Sequence, residues 1–134
     1  MNLNSKIRLL AANIVLIAVL YLLVTFNKEY LRPAVSRGTL AETLTGCLPN
    51  FLAAFLISMA AVNGVLFRKP AHGRAFVIIF SSAVFIVLTI EEIKPMWGAS
   101  TFFDIFDIAA SAVGSMLAIA VYELVRRRRM HISK

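Results

Sequence analysis

Four long apolar stretches, separated by short polar segments, limit the folds open to this sequence more than any other feature. They run from Leu9 to Phe26, from about Thr45 to Phe67, from about Ala75 to Ile90 and from about Ile105 to Val125. A helix needs about 20 apolar residues to cross a hydrocarbon core about 30 Å thick. The sequence therefore predicts a single all-α domain, a polytopic membrane protein built as a bundle of four transmembrane helices over about 9–26, 45–67, 75–92 and 104–125.

The composition agrees with a membrane protein and not with a soluble domain. Apolar residues make up 60% of the chain and charged residues 16%, whereas soluble domains average about 45–50% and about 25%. Lys6 and Arg8 before the first stretch resemble the start of a signal peptide. That stretch is too long for the apolar part of a signal peptide, and no small-residue cleavage site follows it closely. We therefore expect it to be a retained helix.

Positive charge is distributed unevenly between the two sides of the predicted bundle. Ten of the fourteen Lys and Arg residues fall on the side that holds both termini and the loop around Pro70, and four fall in the loops 27–44 and 91–104. Cytoplasmic segments beside membrane helices carry an excess of Lys and Arg, so we expect both termini in the cytoplasm and those two loops outside. A run of basic residues after the last stretch would be a topology signal that contacts anionic lipid: Arg126, Arg127, Arg128 and Arg129.

The remaining composition argues against several classes of function. The net charge of +7 is concentrated beside apolar segments, so we expect no nucleic-acid partner. A single cysteine, Cys47, excludes an internal disulfide and a cysteine-based metal cluster. With only His72 and His131 in the chain, we also expect no metal site and no cofactor.

Small and polar residues form a stripe on two of the predicted helices. Their three- and four-residue spacing places them on one helix face, and small residues allow membrane helices to approach closely. On the fourth helix the stripe is Asp104, Asp107, Ser111, Gly114, Ala118 and Tyr122, and on the second it is Gly46, Asn50, Ala54, Ser58 and Ala61. We expect Asn50, Ser58, Ser111 and Gly114 to form a mildly polar packing seam.

Four acidic residues flank the predicted outward loop between the third and fourth helices. They are Glu91, Glu92, Asp104 and Asp107, with Lys94 as the nearby counter-charge. Carboxylates are costly inside a membrane, so this grouping predicts an acidic pocket at the interface. Helical periodicity favours Glu92 over Glu91 as the inward-facing residue.

A purely structural interpretation of the two aspartates remains open. Thr101 and Asp104 fit a capping box, and carboxylates in a first helical turn also complement the helix dipole. Asp107 lies deeper on the small-residue stripe, where a functional role is favoured. No nucleophile–base pair is evident, so the sequence does not predict an enzyme, and any catalysis would have to use carboxylates.

The order of residues from 91 to 114 resembles a known pattern. It contains a glutamate, two aspartates three residues apart and a glycine, at Glu91, Asp104, Asp107 and Gly114, and the second helix opens with residues 49–53, Pro-Asn-Phe-Leu-Ala. In these segments the chain resembles the VanZ-like family of small bacterial membrane proteins. Lys94 and Ser111 stand where that family has a glutamine and an asparagine, and the arginine that many members carry before the aspartates is absent. The resemblance favours Glu91 as the family glutamate, against the periodicity.

The resemblance implies a cell-envelope protein of the bacterial inner membrane, in a family named for glycopeptide (teicoplanin) resistance. On this interpretation the acidic pocket would bind or act on a lipid-linked or cell-wall component. A second hypothesis is an accessory subunit that packs its small-residue stripes against a larger membrane complex. A third is a small transporter, although transporters of this size use a carboxylate in the first helix and this chain has only Asn13 as a polar feature there.

Overall fold

A computed structural model describes residues 3–68, 70–94 and 104–132. Within these ranges the chain forms helices and no strand, which confirms the predicted all-α class. The elements are α1 (Leu3–Phe26), a π-helical turn (Asn27–Leu31), the short α2 (Arg32–Ala34), α3 (Leu40–Arg68), α4 (Gly73–Ile93) and α5 (Ile105–Ile132). Among these described residues, four spans are long and apolar enough to cross a membrane: Lys6–Ala34, Leu40–Arg68, Gly73–Ile93 and Ile105–Arg128.

The second long helix begins earlier than its apolar stretch because a polar cap starts it. Thr39 precedes α3, and its hydroxyl accepts the backbone N–H of Glu42 at 3.3 Å. The Glu42 carboxylate in turn accepts the N–H of Gly38 at 2.6 Å. Gly38 has a φ of 75°, a backbone conformation that favours glycine. These bonds satisfy donors that an uncapped helix start would leave without partners.

A proline inside α3 explains how the segment between α1 and α3 binds to α3. Pro49 has no N–H, so it cannot donate the usual helical hydrogen bond to the Thr45 carbonyl. That carbonyl instead accepts the side-chain amide of Asn27 at 2.8 Å, and Arg32 Nε lies 3.5 Å from it. Arg32 also donates to the Gly46 carbonyl at 2.7 Å. The π-helical turn and α2 thus carry the two side chains that satisfy the carbonyls near the proline.

The long helices run antiparallel to their neighbours, as contacts between their ends show. Asn27 meets Thr45 between α1 and α3, and Glu92 meets Asp104 between α4 and α5. At the other end of the molecule Arg74 of α4 pairs with Glu123 of α5. The central helix is α3, which packs against α1, α4 and α5, whereas among the long helices in the described ranges α1 contacts α3 alone.

Small side chains fill the interior, and large apolar ones cover the outside. A cluster of buried residues joins α3, α4 and α5 at Val62, Val65, Val77 and Tyr122. Ile14, Tyr21, Ile79 and Met116 are each more than half exposed, a surface compatible with lipid. Membrane helices associate through close packing of small residues, because apolar side chains gain little from leaving lipid.

Candidate functional site

The carboxylates singled out in the sequence lie at one end of the bundle, which we call the acidic end. We define it by Arg32, Asn50, Glu92, Asp104 and Asp107. Four segments supply these residues: α2, the first half of α3, the last turn of α4 and the start of α5. The site therefore depends on the antiparallel packing of α3, α4 and α5.

Asp104 is the N-cap of α5. Its Oδ1 accepts the backbone N–H of Phe106 at 2.9 Å, two residues further on, which is the capping bond that aspartate makes at a helix start. The sequence predicted Thr101 as the N-cap and Asp104 as the second partner of the capping box, whose side chain accepts the N-cap backbone N–H. Thr101 lies outside the described residues. In the structure Asp104 itself supplies the capping oxygen, so one of its oxygens already has a structural role.

Glu92 connects the last turn of α4 to the start of α5. Its Oε1 accepts the backbone N–H of Asp104 at 3.0 Å, so this side chain points towards α5. Glu91, the other candidate, is half-buried. Lys94 is the C-cap residue of α4 and has an exposed side chain. Within the described ranges Lys94 makes no ion pair with Glu92, Asp104 or Asp107.

Asp107 is the most enclosed of the three carboxylates. Because α5 begins at Ile105, Asp107 is its third residue, within the first turn, and not beyond the capping positions as the sequence suggested. Its Oδ1 is buried and has no hydrogen-bond partner among the described residues. The Asn50 amide lies within hydrogen-bonding reach, and Glu92, Asp104 and Arg32 are close enough to act on it electrostatically.

Arg32 is a cation at the acidic end that the sequence did not predict there. Its guanidinium is held by the carbonyls of Thr45 and Gly46, which fixes it beside the acidic end without a direct ion pair to Asp107. The signal that could have found it is Pro49, since a proline inside a helix frees a carbonyl for a donor from elsewhere. Asn27 is fully buried beside Arg32, and its Oδ1 also has no partner among the residues described.

The acidic end therefore offers acceptors in excess of donors. Among the described residues, the carboxylates of Glu92, Asp104 and Asp107 have two donors near them, the Asn50 amide and the Arg32 guanidinium, which is already bound to carbonyls. In the described part of the chain, no group of three or more His, Cys, Asp and Glu side chains is placed to hold a metal ion. The free thiol of Cys47 is half-buried nearby on α3. Such a site is suited to a group that donates hydrogen bonds, such as an ammonium or a hydroxyl.

The polar seam lies between the helices below the acidic end. Ser58 is fully buried and Ser111 is 2% exposed, and the Ser111 hydroxyl donates to the Asp107 carbonyl at 3.0 Å. A Cβ on Gly114 would lie 2.5 Å from the Phe51 carbonyl oxygen, so α5 contacts the backbone of α3 there. Gly46, predicted in the same stripe, has nothing within 4 Å of a Cβ, so the close packing does not extend to it.

We call the opposite end of the bundle the basic end. There Glu123, which was not among the predicted site residues, joins α5 to α4. We define this end by Lys6, Arg68, Arg74, Glu123 and Arg126. Glu123 accepts from Arg74 at 2.7 Å and from Arg126 at 3.0 Å. The three-residue spacing of Glu123 and Arg126 on one helix was the available signal. Of the other basic residues predicted to contact lipid, Arg127 and Arg128 are exposed, and the side chain of Arg129 lies outside the description.

Comparison with known proteins adds no assignment to this geometry. No protein-family model matches the chain, and neither a curated protein nor a solved structure matches it. The resemblance to the VanZ-like family therefore stays a prediction from the sequence. Part of the segment that carries it, residues 95–103, lies outside the described ranges.

Proposed function

We propose that this chain is a VanZ-like multi-pass protein of the bacterial inner membrane whose acidic end faces outward and binds a lipid-linked or cell-wall component. The ligand group would be an ammonium or a sugar hydroxyl. Binding, and not catalysis, is the activity proposed. The position of His72 supports this, because His72 is the N-cap of α4 at the basic end, far from the carboxylates of the acidic end.

The observation that carries the proposal is the buried, unpartnered Oδ1 of Asp107. A buried acceptor without a donor costs free energy, about 1–3 kcal/mol for a neutral group and more for a charged one. Among the described residues, the carboxylates of Glu92 and Asp104 are acceptors, the nearby Arg32 guanidinium is held by two carbonyls, and the Asn50 amide is within reach of the Asp107 carboxylate but leaves Oδ1 without a hydrogen bond. A ligand that brings its own donor would relieve this cost. A lipid-linked envelope precursor carries amines and sugar hydroxyls, which are donors of this kind.

The orientation can be tested with cysteines at the two ends. Ser36 and His72 are exposed and lie at the acidic and basic ends. In a Cys47→Ser background, Ser36→Cys should react with a membrane-impermeant maleimide in intact cells. His72→Cys should react only after the membrane is permeabilised. The reverse pattern would place the acidic end in the cytoplasm and refute the outward-facing site.

The site itself can be tested by binding. The probe is a polyprenyl-linked disaccharide-peptide that carries a free amine, presented to the purified protein in nanodiscs. A hydrogen bond to a charged group contributes about 1.5–3 kcal/mol, so Asp107→Asn should weaken binding roughly 10- to 150-fold. Glu29→Gln is the matched control, because Glu29 is an exposed carboxylate in the π-helical turn outside the cluster.

Two outcomes decide between the site and a general charge effect. Normal binding by Asp107→Asn would remove the site assignment. An equal loss in Glu29→Gln would show that only the overall negative charge matters. In cells, the proposal expects altered glycopeptide susceptibility for Asp107→Asn at normal protein abundance, and unaltered susceptibility for the control.

The structure gives the accessory-subunit hypothesis less support than the sequence did. That hypothesis needs the small-residue stripes as a surface for another protein. Ala54 and Ala118 are fully buried within the chain, and Gly114 contacts the backbone of α3. The stripes pack against each other, so a partner would have to use a different surface. Near-stoichiometric co-purification with another membrane protein would favour this alternative.

A further inference from the structure

An open groove lies between α1 and α4, at some distance from the acidic end. It has a volume of about 460 Å³. Its floor is formed by small residues of α3, and its walls are Leu9 of α1 and Phe76 and Phe80 of α4. In the described ranges the backbones of α1 and α4 do not come close to each other, so the groove lies between them and opens sideways towards lipid.

The groove is deep because α3 presents a glycine at its floor. A Cβ added to Gly64 would meet nothing within 4 Å, so this position has unfilled space in front of it. Ala60 and Ala61 continue the floor. In the last third of α3, the Asn63 amide donates to Asn13 Oδ1 at 3.4 Å and holds α1 against α3. The space beside this contact is apolar and roughly the volume of one long acyl chain.

Two basic side chains lie at the mouth of the groove. A second cavity of about 530 Å³ shares Leu9 and Asn13 with the groove and is lined by Lys6 and Arg68. Within the described ranges neither Lys6 nor Arg68 has a carboxylate partner, whereas Glu123 is paired with Arg74 and Arg126. Both side chains are exposed. The mouth therefore carries two positive charges that the protein does not neutralise.

From this juxtaposition we propose that the groove binds an anionic glycerophospholipid, with its phosphate between Lys6 and Arg68 and one acyl chain between α1 and α4. The charge complementarity selects the headgroup, because basic side chains at a membrane surface attract anionic lipid. The apolar walls and the small floor accept the chain. An ordinary lipid shell would show no preference for the headgroup and no dependence on Gly64.

The headgroup is tested first, with lipid-free protein in detergent and bound lipid counted by native mass spectrometry. Phosphatidylglycerol and phosphatidylcholine with identical acyl chains are the two lipid probes, and glycerol phosphate is the soluble headgroup probe. Basic residues contribute about fivefold each near an anionic surface. We expect phosphatidylglycerol to bind at least about tenfold more tightly than phosphatidylcholine, and glycerol phosphate to bind much more weakly than either.

Charge variants then locate the headgroup. The double variant Lys6→Gln/Arg68→Gln should lose the preference for phosphatidylglycerol. The matched control Arg127→Gln/Arg128→Gln removes two exposed charges from the same end and should keep it. An equal loss in both double variants would show general attraction to a basic surface and would overturn the proposal. Tight binding of glycerol phosphate alone would overturn it in favour of a soluble phosphate.

The acyl-chain site is tested by filling the groove. Gly64→Leu should reduce retention of phosphatidylglycerol about tenfold or more, because the new side chain occupies the floor. Gly46→Leu is the control, since a Cβ there also meets nothing within 4 Å but lies at the other end of α3. Unchanged binding in Gly64→Leu would refute the chain position. A stable dimer that excludes lipid would show that a second copy occupies the groove.

Discussion

The hydrogen bond between Asn27 and the Thr45 carbonyl should exist only because Pro49 leaves that carbonyl free. This dependence can be measured with a double-mutant cycle of Asn27→Ala and Pro49→Ala. Pro49→Ala restores a backbone N–H at the position that normally donates to Thr45. In that background, Thr45 no longer needs a donor from the π-helical turn. The effect of Asn27→Ala should therefore depend on which residue stands at position 49.

The magnitudes follow from the environment of these groups. Asn27 is fully buried, and without it the carbonyl keeps only the 3.5 Å contact with Arg32 Nε. A buried carbonyl that loses its donor costs about 1–3 kcal/mol, so Asn27→Ala should lower the free energy of unfolding by about 2 kcal/mol. In the Pro49→Ala background we expect a loss below about 1 kcal/mol. The coupling energy is then about 1–2 kcal/mol.

The assay is reversible unfolding in detergent micelles, followed by circular dichroism, for the four members of the cycle. Asn63→Ala crossed with Pro49→Ala is the control cycle, because Asn63 bonds to Asn13 and not to a carbonyl near the proline. Independent sites add within about 0.3–0.5 kcal/mol. Additive behaviour of Asn27→Ala and Pro49→Ala within that range would refute the reasoning.

Three further predictions concern packing, the basic end and the start of α5. Gly114→Ala should lower the free energy of unfolding by about 1–3 kcal/mol, because its Cβ would lie 2.5 Å from the Phe51 carbonyl oxygen. In the control Gly64→Ala the new Cβ meets no atom within 4 Å and should cost nothing. Equal unfolding midpoints for the two variants would contradict this. Glu123→Gln should lower the free energy of unfolding by less than about 1 kcal/mol, because the ion pairs of Glu123 with Arg74 and Arg126 are partly exposed. The difference from the unchanged protein should shrink at high salt. A loss above about 2 kcal/mol would indicate a buried network. Asp104→Ala should lower the free energy of unfolding by about 1 kcal/mol, and Asp104→Asn should lower it far less, because asparagine also caps helices. Equal losses for the two variants in thermal unfolding would assign Asp104 another role.

The spans were predictable because each residue of a membrane helix reports its own preference for lipid. Hydropathy summed over about 20 residues requires no knowledge of neighbouring helices. The contact at Gly114 was also readable, since small residues at three- and four-residue spacing indicate where helices approach. Gly46 shows the limit of this reasoning. The spacing of small residues on α3 continues to Gly46 near the acidic end, but no other helix comes within 4 Å of a Cβ there.

The roles of Arg32 and Glu123 could not be read from hydropathy. Each lies near the end of a span, where a charged side chain is tolerated whether or not it has a partner. Arg32 acquires its role through a carbonyl thirteen residues away, and Glu123 through an arginine forty-nine residues away. Such distances along the chain require the helix packing to be known. Thr39 and Glu42 are a different case, since their cap is a local pattern and was available from the sequence.

The two ends of the bundle differ in how their charged side chains are held. At the basic end Glu123 pairs with Arg74 and Arg126 and not with Lys6 or Arg68, which leaves those two side chains available to an anion. At the acidic end Arg32 is held by backbone carbonyls, which leaves the Asp107 carboxylate available to a donor. An exposed ion pair adds little stability, so the unpaired Lys6 and Arg68 cost the fold little, whereas the buried Asp107 Oδ1 without a donor among the described residues is destabilising. Both ends depend on α3, which supplies Asn50 to one and Arg68 to the other. Asn50 and Arg68 are eighteen residues apart on that helix, so we expect variants within one end to leave binding at the other unchanged, provided that α3 stays folded.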